Sequence, residues 1–107
     1  MQGLLRELNK TFFQTLEDIK TKEDLEIFIN DFLSKNELGV LIKRLGIAYW
    51  LKKGRDYKNI KTNLQVTTSE IKQVETKLNS KGYKLALKKM EAEDWANVWS
   101  EKIKKVI

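Results

Sequence analysis

Apolar residues return every three or four positions along most of the chain, the period of a helix with one buried face. Leu4, Leu5, Leu8, Phe12, Leu16 and Ile19 mark out an amphipathic helix over residues 3–19. Phe13 beside Phe12 makes this stripe heavy for one helix of a small monomer. Thr21 reads as an N-cap with Asp24 as its acidic partner three residues on, so Leu25, Phe28, Ile29 and Phe32 form the buried face of a second helix. Ser34 and Glu37 make an S-x-x-E capping box. The third helix runs from about Lys35 through Leu38, Leu41, Ile42, Leu45, Ala48, Tyr49 and Lys52, and Gly54 stands where a left-handed C-terminal cap is wanted.

The next stretch is shorter and more tightly punctuated. Asp56 can cap a brief fourth helix over residues 57–63, and Thr67 with Glu70 forms a capping box opening a fifth over residues 68–79. Two short helices separated by residues 64–67 have the layout of a helix-turn-helix. Such a unit buries a small wedge between its helices and needs apolar residues at the fourth, eighth, tenth, fifteenth and eighteenth positions counted from Tyr57. These are Ile60, Leu64, Val66, Ile71 and Val74, and all are apolar. Two slots depart from the usual pattern: Lys61 stands where a small residue is commonest, and Gln65 where glycine is favoured because the backbone wants positive φ.

Beyond Gly82, the residues Tyr83, Leu85, Ala86, Leu87 and Met90 continue as a sixth helix. From about Glu93, a tail carries Trp95, Val98, Trp99, Ile103 and Val106 on one face, with Lys102, Lys104 and Lys105 near its end. A stripe with two tryptophans reads as packing, onto the chain's own core or onto a second subunit.

Composition narrows the class. The 107 residues include no Pro, no Cys and no His, and only 5 Gly, which favours an all-α domain of six to seven helices. Without Cys there is no disulfide framework, thiol nucleophile or thiolate metal site. Without His the commonest general base and transition-metal ligand is missing. No paired carboxylates sit in an apolar setting, so no enzyme and no cofactor are expected. No apolar run has the length of a membrane span and the leading MQGLLRELNK lacks the layout of a signal peptide, so a cytoplasmic location without membrane contact is expected.

Charge is segregated. Residues 1–37 hold 5 Lys/Arg against 8 Asp/Glu, residues 38–89 hold 13 against 3, and residues 90–107 hold 3 against 4. Basic charge gathered around a helix-turn-helix is what a phosphate-facing surface requires. On the face of the fifth helix turned away from Ile71 and Val74, the candidate base-reading residues are Thr67, Thr68, Ser69, Lys72, Gln73, Thr76 and Lys77. Gln can pair with adenine in bidentate fashion, Lys can reach guanine acceptors, and Thr methyls suit thymine methyls. Candidate phosphate contacts around the rim are Lys43, Arg55, Tyr57, Lys58, Lys81 and Lys84. RNA binding through the same patch fits less well, because aromatic residues are not interleaved with the lysines. The rival from another class is a protein-interaction module on a repurposed helix-turn-helix, working through the Trp95/Trp99 stripe or the acidic N-terminal third.

Four blocks, LLRELNKTFFQTLEDIKTKEDLEIFINDFL, SKNELGVLIKRLGIAYWLKKG, DYKNIKTNLQVTTSEIKQVETKLN and GYKLAL, resemble in order the Trp repressor superfamily, and more closely its YerC/YecD-type branch. The resemblance implies a Trp repressor-like helix-turn-helix domain over residues 1–87, with residues 88–107 as a helical extension packing on the same domain or dimer. It also implies an intertwined homodimer whose two helix-turn-helix units enter successive major grooves of double-stranded DNA. In the Trp repressor proper two arginines sandwich the tryptophan corepressor. The first falls on Arg44 and the second on Gln73, so Arg44 and Gln73 mark a possible effector pocket from which one arm of the tryptophan clamp is missing. The family also tends to carry basic residues around the sites of Gln73, Glu75 and Thr76, where this chain has none.

Overall fold

A computed structural model describes residues 2–92 of the chain. It is all-helical among these residues, with α1 (Gln2–Asp18), α2 (Lys22–Phe32), α3 (Lys35–Lys52), α4 (Tyr57–Leu64), α5 (Thr68–Lys77) and α6 (Lys81–Ala92). The Trp95/Trp99 tail and the lysines after it lie outside the described residues. No helix among the described residues is long and apolar enough to cross a membrane.

Local chemistry sets most of the boundaries. The Thr21 side chain accepts the Asp24 amide at the start of α2. Ser34 and Glu37 cap α3 reciprocally, the Ser34 Oγ accepting the Glu37 amide at 3.1 Å and the Glu37 carboxylate accepting the Ser34 amide at 2.8 Å. The Ser34 amide first, and the Ser34 hydroxyl after it, hold the Glu37 carboxyl below its ordinary pKa. At the far end of α3, Gly54 has φ +81°, the Gly54 amide donates to the Leu51 carbonyl and the Arg55 amide to the Trp50 carbonyl. That pair of bonds is a Schellman closure, and the left-handed residue in it costs glycine nothing in Cβ clash.

The chain divides into two units at Leu38/Gly39. In the first unit neither α1 nor α2 has a buried residue. The Phe12 ring stands 5.5 Å from Phe13 and 6.4 Å from Phe28, and Phe28 stacks on Phe32 at 4.2 Å. Leu4, Leu5, Leu8, Phe12, Phe13, Leu25 and Phe32 are nevertheless all exposed, Phe32 at 69%. Of the α2 face expected to be buried, Leu25 and Phe32 are exposed and Phe28 and Ile29 only half-buried, because nothing within the unit closes over it fully.

The second unit has a core. Gly46, Ile47, Ala48, Tyr49 and Trp50 are consecutive and all buried, and at about 100° per residue five in a row go all the way round a helix. The back half of α3 is therefore a central post, enclosed by Ile60, Val66, Ile71, Val74, Leu87 and Met90. Lys52 Nζ and Glu91 Oε1 pair at 2.9 Å, joining the ends of α3 and α6, and the lysine draws the Glu91 carboxyl below its ordinary pKa. α6 begins at Lys81, earlier than its apolar residues suggest, with the Ser80 carbonyl accepting the Lys84 amide. It runs without a break to Ala92.

Candidate nucleic-acid interface

The helix-turn-helix wedge forms as its apolar spacing predicts. Ile60 and Ile71 are 0% exposed, Val66 and Val74 are buried, and Leu64 packs against them half-buried. Asp56 Oδ1 accepts the Asn59 amide at 2.8 Å to start α4. Gln65 then takes φ 54° and ψ 52°, the left-handed turn that reverses the chain. Thr67 and Glu70 complete a full capping box, with the Thr67 Oγ1 accepting the Glu70 amide and the Glu70 carboxylate accepting the Thr67 amide, both at 3.1 Å. α5 ends at Lys77, two residues short of the stretch its periodicity marks. Leu78 prolongs the apolar pattern, but the Ser80 hydroxyl donates to the Lys77 carbonyl at 2.7 Å and turns the chain there.

With Ile71 and Val74 turned inward, Ser69, Lys72, Gln73, Thr76 and Lys77 are exposed, whereas Thr68 is half-buried and Thr67 stands exposed as the cap itself. Lys58, Lys81 and Lys84 are also exposed. Other candidate phosphate contacts already have partners within the chain. Lys43 Nζ approaches the Gln65 carbonyl at 3.5 Å, bracing the turn from α3. The Arg55 guanidinium lies 5.7 Å over the Trp50 ring and donates to Asn59 Oδ1 at 3.4 Å, which fixes a long side chain before any ligand arrives. The Tyr57 hydroxyl donates to Glu75 Oε1, linking the first residue of α4 to the far half of α5. This bond to a carboxylate raises the Tyr57 pKa, so the hydroxyl keeps its proton. Nothing in the sequence points to this pair, since residues 18 apart meet only once the crossing of two helices is known.

A cavity of about 470 Å³ opens between α3 and α5, with Tyr83 of α6 at its edge. Arg44 and Gln73 both line it, along with Lys43, Lys77 and Glu70, while Val40, Ile47 and Val74 supply apolar wall. Three cations therefore face one carboxylate, and that carboxylate is already taken up by the capping box. Among the described residues no cluster of Asp and Glu could hold a metal ion.

No curated protein and no solved structure matches the chain. Residues 7–91 match the family described as Trp repressor protein, a span that takes in α2 to α5 whole, α6 but for its last residue, and α1 from its second turn onward. With an all-helical fold, a capped helix-turn-helix and a polar outer face on α5 already in place, the chain belongs to the Trp repressor family of DNA-binding regulators.

Proposed function

We propose that this protein is a homodimeric, sequence-specific regulator of transcription that binds double-stranded DNA and does not respond to tryptophan. The observation that carries the reading is the exposed polar face of α5, mounted on a buried wedge and lying in the segment that holds 13 Lys/Arg against 3 Asp/Glu. Thr67, Thr68, Ser69, Lys72, Gln73, Thr76 and Lys77 are assigned to the bases. Lys43, Arg55, Lys58, Lys81 and Lys84 are assigned to the phosphates, and so is Tyr57, whose one hydroxyl proton would have to turn from Glu75 to a phosphate oxygen.

The partner is a second copy of this chain. α1 and α2 bury nothing by themselves while exposing leucine and phenylalanine along their length. The front half of α3 exposes Val40, Leu41 and Ile42, which at consecutive positions spread over more than half the circumference of the helix. Apolar surface of that extent calls for a protein partner. A partner touching one face of α3 would leave part of this surface in water, so an intertwined copy that wraps it accounts for the pattern best.

Independence from tryptophan rests on Gln73, which stands where the second clamping arginine is found in the Trp repressor. The surrounding excess of cations suits a small acidic effector with an apolar part. Action as a regulator rather than an enzyme, in the cytoplasm, follows from the same reading.

The test is selection from a random double-stranded DNA library, followed by salt titration of the winner against an unselected duplex. A palindromic consensus with half-sites about one helical turn apart, bound at least ~10³-fold tighter than random DNA, is the expected result. Weak, salt-sensitive binding without a consensus would refute it and favour the interaction-module reading.

A further inference from the structure

We infer that Glu75 is a specificity-determining residue of the DNA-binding face, a fixed carboxylate that weakens attachment to DNA backbone in general and so raises the contrast between operator and random sequence. The inference rests on the DNA-binding reading above and deepens it.

Position comes first. Thr68, Lys72 and Glu75 lie at i, i+4 and i+7 on α5, so they share one stripe of that helix. Glu75 is thus in line with two residues assigned to the bases, and its neighbour across the helix pair, Tyr57, is one assigned to the phosphates.

The Glu75 carboxylate also differs from its acidic neighbours in what it does within the fold. Residues 38–89 contain three acidic side chains, Asp56, Glu70 and Glu75. Asp56 caps α4 and Glu70 closes the capping box of α5, so both serve helix termini. Glu75 caps nothing. No Lys or Arg pairs with it among the described residues, although the segment is rich in both. Its partner is the Tyr57 hydroxyl, a neutral donor that holds the group in place and leaves its full negative charge.

A charge held in that way acts on whatever approaches. Any duplex brings phosphates to the rim of the face, and each meets the same repulsion whatever its base sequence. Only a duplex whose bases pair well with α5 offsets that cost.

The experiment is a charge series at one site, Glu75→Gln and Glu75→Lys, in the full chain, with urea unfolding to confirm that the exposed substitutions leave the fold intact. Gln keeps an oxygen for Tyr57 and removes only the charge. Affinity for an unselected 30-bp duplex and for the selected duplex is titrated against salt. Affinity for the unselected duplex should rise stepwise from Glu to Gln to Lys, about fivefold at the first step near 0.1 M salt, and the gain should shrink as salt is raised. The ratio of selected to unselected affinity should fall. A wild type that binds no DNA alongside a Gln variant that does would also support the inference. Unchanged affinity for the unselected duplex across the series would overturn it, and so would loss confined to the selected duplex, which would make Glu75 a base contact. In either case the DNA-binding reading would stand. No salt-sensitive binding by wild type or variants would overturn both.

Discussion

Gln65 carries the one positive φ of a non-glycine residue among those described, and replacing it measures what the turn costs. At φ 54° and ψ 52° a Cβ crowds the following carbonyl, at about 1–2 kcal/mol relative to the right-handed conformation. Glycine removes this clash but loses about 0.4–1 kcal/mol through the greater freedom of the unfolded chain. The Gln65 side chain is exposed, and Lys43 approaches its backbone carbonyl, so the substitution sacrifices no side-chain contact. Gln65→Gly should therefore stabilise the protein by about 0.5–1 kcal/mol, a rise in Tm of roughly 2–8 °C for a chain of this size. Gln65→Ala is the control, since it keeps the Cβ and should stay within about 0.5 kcal/mol of wild type. The assay is urea unfolding at one fixed protein concentration, because assembly feeds into apparent stability. A glycine variant no more stable than the alanine variant would refute the reasoning.

Three further outcomes are expected. Thr67→Ala removes the acceptor of the Glu70 amide and the hydroxyl donor to the Glu70 carboxylate while keeping the backbone amide bond to that carboxylate, so urea unfolding should show a loss of about 1 kcal/mol, within the usual range for an N-cap. Lys72→Ala should relax base preference at one position of each half-site in a repeated selection, whereas Lys58→Ala should weaken all sequences alike and flatten the salt slope by about one unit; equal losses on selected and random DNA for both would count against these roles. Glu37 and Glu91 have folded-state pKa values below the ordinary one, so each contributes stability that is complete above that value, about 4.3, and is lost as pH falls through the lower folded value. Glu37→Gln with Glu91→Gln should accordingly flatten the fall of the thermal midpoint below about pH 4.3, and an unaltered acid limb would contradict the assignment.

Helix starts were legible in the sequence because their causes are local. Thr21, Ser34, Asp56 and Thr67 each act on an amide three residues away, and a spacing of three can be read from a string of letters. The left-handed turn at Gln65 was legible for another reason. Glutamine gives no hint of positive φ, but the apolar positions at Ile60, Leu64, Val66, Ile71 and Val74 close into one wedge only if the chain reverses there. Where the reading fell short, the cause lay in three dimensions. Leu78 continues the periodicity of α5 past its real end, since a pattern of hydrophobicity does not register a backbone turn made by Ser80. The Tyr57–Glu75 bond depends on how two helices cross. The apolar stripes of α1 and α2 signal faces suited to burial, but a stripe does not say what covers it, and within their own unit Leu4, Leu8, Phe12 and Phe32 stay exposed.

That last feature has a bearing on how such a regulator is controlled. In the homodimer proposed above, α1 and α2 bury their apolar faces only against another copy, so the active species rises with the square of protomer concentration while the dimer is scarce. Cellular abundance then becomes a signal in its own right, ahead of any small molecule. Halving the supply of chains in that regime would leave about a quarter of the dimer, so synthesis and degradation would set occupancy of the genome.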